Sequence, residues 1–298
     1  MDFRLKVFYT VALRLNFTKA ATELYISQPA VSKHIQELEE AYKTKLFERN
    51  GSKIALTPAG EILLKHTKNI FEIYREIDFE MSSFINDRQG LLRLGASTTI
   101  SQYIISPVLA RFHQKQKDIK VNLLNGNTEQ IENALIHKEI EIGIVEGQSK
   151  NQSIKYTPFL KDELVLVCNT KNPLIKQNEI SLEDLKSMKF ITRERGSGTL
   201  EVIEYSLKQV GVKISDLQIE MQLGSTESIK SYLLNSDCLA FMSIHAVDKE
   251  LKNNELMVLD IANLSIERYF YIITLLGKPN ALTELFIQNL SAYYNLEL

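Results

Sequence analysis

The sequence predicts an α/β protein in three parts: an N-terminal winged helix-turn-helix, one long helix, and a larger C-terminal α/β region. Three observations indicate this order. Two short helical patterns flank a tight break within residues 17–36, apolar residues recur every seven positions after residue 58, and short apolar strands alternate with helices after residue 90. A chain of 298 residues has room for two or three such domains. The expected boundaries are 1–58, 59–88 and 89–298.

The break within residues 17–36 is the most informative feature of the sequence. Thr18 is a candidate N-cap for the first short helix, and Ser27 is a candidate N-cap for the second. Pro29 falls in the first turn of the second helix, where its missing N–H is harmless. One side of this helix is apolar, and the other carries Gln28, Ser32, Lys33 and Gln36. The pattern is typical of a helix-turn-helix whose second helix lies in the DNA major groove, and a generic pair of amphipathic helices is the alternative.

Residues on either side of this motif complete a DNA-binding unit. Apolar residues at helical spacing predict a first helix over residues 2–15, and residues 46–57 predict two strands around Asn50-Gly51. Asn-Gly favours a tight hairpin, so we expect a wing here. The amino-terminal end of the second helix should contact base edges through Gln28, Pro29 and Ser32. Phosphate contacts are expected from Thr18, Lys33, Arg49 and Lys53.

Composition predicts a globular cytoplasmic protein. Residues 1–58 carry nine Lys/Arg and six Asp/Glu, a balance of +3, while the formal charge of the whole chain is −2. A basic amino-terminal part on a mildly acidic body fits DNA binding. We expect neither a membrane span nor a signal peptide. Cys168 and Cys238 lie in apolar runs, which favours buried thiols over a disulfide or a metal site.

The predicted long helix carries an apolar seam. Leu63, Ile70, Ile77 and Phe84 recur every seven residues, which favours a helix that pairs with another helix. Packing on its own domain would also produce such a stripe. However, no neighbouring element of sequence is present to cover this helix before residue 90, so we expect a dimer interface. Residues 86–90 then mark the boundary to the C-terminal region.

Two stretches of the C-terminal region are candidates for ligand binding. Ser97, Thr98 and Thr99 follow a predicted strand over 91–96 and precede a helix expected from about residue 100 to 116. Gly196, Ser197, Gly198 and Thr199 follow a predicted strand over 190–192 and also precede a helix. Hydroxyls and backbone N–H groups at helix starts can bind an anion. Arg193 and Arg195 could assist. Ordinary N-caps and a flexible turn are the alternatives.

A catalytic function has little support in the sequence. The five histidines are scattered, and none shows metal-ligand spacing or an evident partner. No nucleophile elbow of the form G-x-S-x-G is present. The stretch RGSGT lacks the Gly-Lys-Ser/Thr that would complete a phosphate loop. We therefore expect no enzyme, no metal site and no cofactor other than a small-molecule effector.

The amino-terminal motif resembles a known family. The motifs that carry the resemblance are F-T-x-A-A-x-x-L, S-Q-P-A-V-S, L-F-x-R and L-T-x-A-G. With these motifs the start of the chain is similar to that of LysR-type transcriptional regulators, and the match is dense from Phe3 to Gly60. The resemblance implies a C-terminal effector domain of two lobes, like the type 2 periplasmic binding proteins. Lobe I would comprise 89–161 and 268–298, and lobe II would comprise 162–267. The segment G-S-G-T also resembles the family, although Leu200 stands where the family often has Arg.

The resemblance also implies partners. It implies a homotetramer built as a dimer of dimers, and a homodimer is the other expected state. The other expected partners are promoter DNA, RNA polymerase and a small effector between the lobes, and the residues of the two candidate stretches favour an anion. A two-lobed small-molecule binder or enzyme with an amino-terminal assembly domain is the alternative. Such an assembly helix would not need Gln28, Ser32 and Lys33 together, and a gel-shift experiment would separate the two hypotheses.

Overall fold

The computed structural model describes residues 2–50, 53–83, 89–148, 150–173 and 179–296. The chain divides into two compact units, Met1–Asp87 and Arg88–Leu298. Within the described ranges, none of the helices is both long and apolar enough to cross a membrane.

The first unit contains four helices and a two-stranded hairpin. In chain order these are α1 (Phe3–Arg14), α2 (Phe17–Leu24), α3 (Gln28–Tyr42), β1 (Phe47–Asn50), β2 (Lys53–Leu56) and α4 (Pro58–Ser83). The strands are antiparallel, and Arg49 pairs with Ile54. The predicted order of helix, helix-turn-helix and wing is therefore confirmed.

The helix caps match the predictions with one exception. Ser27 caps α3, since its Oγ accepts a hydrogen bond from the backbone N–H of Ala30 at 3.3 Å. The assignment of Thr18 as the cap of α2 is wrong. Asn16 has the extended backbone of an N-cap, and its side chain accepts from the N–H of Lys19 at 2.9 Å. The helix therefore begins at Phe17, which places Thr18 inside its first turn.

A compact core holds the first unit together. It joins the apolar faces of α1, α2 and α3 to the start of the hairpin, through Val7, Phe8, Val11, Ala20, Ala21, Val31, Ile35, Leu38 and Leu46. Ala20 and Ala21 are small, so α2 can approach α1 and α3 closely. This core fixes the angle at which α3 is presented to solvent.

The second unit is built on one nine-stranded sheet in the order β4-β3-β5-β11-β6-β9-β7-β8, with β10 paired to β6. Its strands are β3 (Gly90–Ser97), β4 (Ile119–Gly126), β5 (Ile142–Glu146), β6 (Ile154–Asn169), β7 (Lys189–Arg193), β8 (Gln218–Leu223), β9 (Leu239–Ser243), β10 (Leu256–Leu259) and β11 (Ile266–Leu275). Its helices are α5 (Thr98–Tyr103), α6 (Ile105–Lys115), α7 (Thr128–Ile136), α8 (Gly198–Gln209), α9 (Thr226–Leu233), α10 (Ile244–Lys252) and α11 (Ala281–Tyr294).

Two long antiparallel strands join the halves of this sheet. β6 is 16 residues long and pairs with β11 along ten positions, from Ile266 opposite Leu164 to Leu275 opposite Ile154. The apolar runs over 164–168 and 270–275 by themselves predict only one end of each strand. Exposed charges such as Lys155 and Glu163 interrupt the apolar pattern elsewhere, and strand pairing extends both strands regardless.

The single helix expected from about residue 100 to 116 is two helices. The break falls at Ile104, whose φ of −110° and ψ of −50° depart from helical geometry. Pro107 explains the break, because it has no N–H to donate back to the preceding turn. The consequence is a short α5 that carries Thr98 and Thr99 in its first turn.

Candidate functional site

The amino-terminal end of α3 presents a polar, exposed face. Gln28, Pro29 and Lys33 are exposed, and Ser32 is half-buried. The amide Nε2 of Gln28 donates to Oγ of Ser32 at 2.9 Å, so these two side chains form one hydrogen-bonding surface. Gln28 offers paired donors and acceptors of the kind that read base edges. Thr18 is exposed on the neighbouring helix α2.

Tyr25 occupies the turn between the two helices. It has left-handed backbone geometry, with φ of 55°, and its side chain is 95% exposed. Many helix-turn-helix motifs use glycine in such a turn, since a side chain is disfavoured there. Tyr25 was not among the DNA-contacting residues predicted from the sequence.

The wing is attached to α3 through Glu39. Its carboxylate accepts from the backbone N–H of Leu46 at 2.9 Å and pairs with Lys45 Nζ at 2.6 Å. The backbone of Arg49 and of Lys53 lies in the hairpin. The side chains of both residues lie outside the described part of the structure, so their phosphate contacts stay a prediction.

Helix α4 leaves an apolar stripe on its surface. Ile77 is 48% exposed, and Ile73, Tyr74 and Met81 are exposed beside it. Ile70 is half-buried. Leu63 packs against the core of the first unit, so part of its apolar surface is already covered within the chain. Phe84 lies outside the described residues. An exposed apolar stripe of this size is typical of a helix that packs against a partner.

The predicted ligand-binding hydroxyls lie together between the two halves of the second unit. Ser97 Oγ donates to the carboxylate of Glu146, and Thr199 Oγ1 donates to the same carboxylate at 3.1 Å. Thr99 Oγ1 is 3.4 Å from Thr226 Oγ1. Neither Ser97 nor Ser197 caps its helix through its side chain. The hydroxyl of Ser197 is buried and has no hydrogen-bond partner among the described residues.

The glycines beside these hydroxyls allow close approach of the chain. Gly196 has φ of 85°, a conformation that favours glycine. Gly198 lies so close to the backbone carbonyl of Glu146 that a Cβ would come within 1.9 Å of its oxygen. The segment over 196–199 therefore packs closely against the end of β5.

A buried charged network lies under this contact. Arg268 Nε donates to Asp162 Oδ2 at 2.7 Å, and Arg268 Nη1 donates to Thr199 Oγ1 at 2.9 Å and lies 3.8 Å from Glu146 Oε1. Ser243 Oγ donates to Asp162 Oδ1 at 2.7 Å. Sequence reasoning missed these residues. Asp162 stands between Lys161 and Glu163, and Arg268 follows Glu267, so the local pattern does not distinguish the buried charges from their exposed neighbours.

An open cavity of about 310 Å³ lies beside Thr98 at the start of α5. Its lining is polar and consists of Thr98, Gln102, Asn125, Gly126, Asn127, Gln130, Glu194, Gly224 and Ser225. Of the seven predicted ligand-binding residues, Thr98 alone is in this lining. Gln102 Oε1 is buried and has no hydrogen-bond partner among the described residues, so it is available as an acceptor.

Arg193 approaches the cavity from β7. Its Nη2 lies 3.4 Å from Thr98 Oγ1, and its Nε and Nη2 donate to the Glu194 carboxylate at 2.8 and 3.0 Å. Burial raises the pKa of Glu194, but the hydrogen bonds and charge of Arg193 outweigh it, so the net pKa is lowered. Glu194 is therefore ionised at neutral pH.

Metal-binding chemistry is not evident in the part of the chain that the structure describes. Among these residues, no cluster of three or more His, Cys, Asp or Glu side chains could hold a metal ion. Cys168 and Cys238 are buried free thiols, as predicted.

Comparison with known proteins agrees with both units. The chain matches the bacterial regulatory helix-turn-helix protein, lysR family, over residues 3–61, and the LysR substrate binding domain over residues 86–294. It is 32% identical to the HTH-type transcriptional regulator CysL of Bacillus subtilis over 295 residues, which cover 99% of this chain and 98% of CysL.

Solved structures show the same architecture. The regulatory domain of Synechocystis CcmR, solved in complex with 2-PG, is 32% identical, with a TM-score of 0.63 over 69% of this chain and 97% of that domain. Full-length CbnR, solved with its target DNA, has a TM-score of 0.69 over 98% of this chain and 99% of CbnR. At 19% identity the CbnR likeness shows the fold alone.

These findings define a DNA-binding transcriptional regulator with an effector-binding domain. The chain belongs to the LysR family of transcriptional regulators.

Proposed function

We propose that this regulator reads DNA through the amino-terminal end of α3. Gln28, Pro29 and Ser32 contact base edges, and Lys33 contacts a phosphate. The supporting observation is the hydrogen bond between the exposed Gln28 and the half-buried Ser32, which lies at the capped start of α3. Thr18 on α2 and Arg49 and Lys53 on the wing contact phosphates on either side and fix the position of α3.

The regulator works as an oligomer in this proposal. One helix-turn-helix reads too few bases for genomic specificity, so two copies must bind paired half-sites. The exposed stripe of α4 supports pairing through Ile70 and Ile77, with Leu63 and Phe84 at the ends of the seam. Two such dimers form a homotetramer. This homotetramer binds promoter DNA in the cytoplasm and acts on RNA polymerase.

The effector is a small anion. It binds in the second unit between the segments Ser97–Thr99 and Gly196–Thr199. The observation that carries this proposal is the polar cavity of about 310 Å³, which Thr98 lines and which Arg193 approaches. Its size suits a compact metabolite. The CcmR regulatory domain, solved in complex with 2-PG, supports a small-molecule effector. The chain acts by binding, without catalysing a reaction.

Two measurements test the proposed function. A gel-shift experiment with the DNA upstream of the protein's own gene should show binding that resists unrelated competitor DNA, whereas an assembly domain would show none. Calorimetric titration with a series of small anions should identify a ligand whose affinity falls in Thr98→Val and in Thr99→Val. Equal binding by wild type and both variants would remove Thr98 and Thr99 from the site.

A further inference from the structure

Arg193 approaches the cavity, and one donor edge of its guanidinium, the fork formed by Nε and Nη2, is already occupied. Its side chain is only 4% exposed. Two of its nitrogens, Nε and Nη2, hold both carboxylate oxygens of Glu194, the next residue in the chain. Guanidinium groups bind carboxylates and other oxyanions through this same two-point geometry. The Glu194 carboxylate therefore occupies a fork through which an anionic ligand could bind Arg193.

Glu194 stands between Arg193 and the cavity. The side chain of Glu194 is 29% exposed and lines the cavity, whereas Arg193 lies behind it and touches the lining through Thr98. The other lining residues are uncharged, including four side-chain amides. An anion that enters the cavity consequently meets one negative charge and can reach Arg193 only after Glu194 has moved.

The chain beside Glu194 can accommodate such a movement. Glu194 lies after the last residue of β7, and the left-handed Gly196 follows two positions later, before α8 begins at Gly198. Its carboxylate is held by Arg193 and by the side-chain amide of Asn127, and by no second cation among the described ion pairs. Displacement of the carboxylate therefore requires these side-chain hydrogen bonds to break, and rotation about the side chain's own bonds is sufficient for that.

We propose that Glu194 is a tethered competitor for the effector: its carboxylate occupies the Arg193 fork in the ligand-free protein and is displaced by the anionic group of the ligand. This inference rests on the proposed function of the cavity. It predicts that Glu194 weakens anion binding, although it lines the site. It also restricts ligands to groups with two oxygens that fit the fork, such as a carboxylate, a sulfate or a phosphate.

Calorimetric titration of the full chain with inorganic sulfate, inorganic phosphate and acetate tests the inference. Glu194→Gln keeps the side chain's shape and removes its charge, so the best of the three anions should bind about tenfold more tightly than to wild type, which corresponds to the loss of one charge-assisted competitor. Glu129→Gln is the matched control. Glu129 is exposed beside Gly196 and has no contact with Arg193 among the described hydrogen bonds, so its loss removes an equal charge without opening the fork.

The outcomes separate the inference from the proposed function. Tighter binding in Glu194→Gln, with little change in Glu129→Gln, supports both. If wild type binds an anion and Glu194→Gln binds it equally well or more weakly, Glu194 is not a competitor and the anion site stands. An equal gain in affinity in Glu194→Gln and Glu129→Gln leads to the same conclusion. If neither wild type nor Glu194→Gln binds any of the three anions, the anionic effector site itself is wrong. Glu194→Ala provides a second variant if Glu194→Gln fails to fold, with thermal unfolding as the check.

Discussion

Arg268 and Asp162 form a buried ion pair, with Nε of the arginine 2.7 Å from Oδ2 of the aspartate, although 106 residues separate them in the chain. Both side chains are at most 1% exposed. They face each other across the β6–β11 pairing, the register of which places Arg268 opposite Asp162. The same guanidinium reaches Thr199 at the start of α8, so a single side chain links the two long strands to the segment over 196–199.

Replacing Arg268 should strongly destabilise the second unit. Arg268→Met leaves Asp162 and Glu146 as buried carboxylates without a cation, so we expect a loss of about 3–5 kcal/mol in the free energy of unfolding, measured by urea denaturation. Lys161→Met is the control. Lys161 forms an exposed pair with Glu267 on the same two strands, and its loss should cost less than about 1 kcal/mol. Equal effects of the two substitutions would show that the buried network has no special role.

Lys33 and Ser32 should differ in how they affect DNA binding. Lys33→Ala should weaken binding to all sequences alike and lower the slope of log affinity against log salt by about one, because one phosphate contact is lost. Ser32→Ala should leave this slope unchanged and relax sequence preference. Fluorescence anisotropy over a salt series measures both, with Lys115→Ala in α6 as the control. An unchanged slope in Lys33→Ala would show that α3 is placed wrongly.

The apolar stripe of α4 should control assembly. Introducing charge at two seam positions, Ile70→Asp with Ile77→Asp, should prevent helix pairing and give monomers that bind DNA about tenfold or more weakly. Analytical ultracentrifugation reports the mass. Asp78→Ala, at an exposed polar position of the same helix, should leave the oligomer intact. An unchanged oligomer in the double variant would exclude this seam as the interface.

Cys168 should resist alkylation in the folded protein. Burial raises the pKa of its thiol to about 11, so at pH 8 it stays protonated and unreactive. Mass spectrometry after iodoacetamide treatment should show Cys168 unmodified until urea is added. Because its pKa is higher in the folded state, its contribution to stability is complete below about pH 8.5 and declines as the pH rises towards 11. Rapid labelling without denaturant would contradict this assignment.

The sequence predicted the first unit more completely than the second. Caps, turns and amphipathic spacing are local signals, and they placed α1, α3 and the wing correctly. Thr18 was assigned wrongly as a cap because Asn16, two positions earlier, offers the same chemistry with a better backbone conformation. In the second unit, the contacts of Glu146, Asp162 and Arg268 depend on strand pairings between distant segments. Spacing along the chain carries no information about such pairings, so the network could not be predicted.

The candidate ligand-binding cleft was also predictable in its local features and not in its contacts between distant segments. The positions of Ser97–Thr99 and Gly196–Thr199 between a strand and a helix could be predicted, because an apolar run followed by small polar residues and a helical pattern is a local signal. The identity of the hydroxyls that face the cavity could not be predicted. Ser97 and Thr199 turn inward to a carboxylate from β5, which leaves Thr98 in the cavity lining.

Selection of binding sites from a random duplex library tests the central claim most directly. The full-length protein should enrich a two-fold symmetric motif, because two copies of α3 read paired half-sites. Ser32→Ala should enrich the same spacing with relaxed preference at one position in each half-site. Failure of the wild-type protein to enrich any motif, or a motif that Ser32→Ala leaves unchanged at every position, would contradict the claim that α3 reads DNA sequence as described.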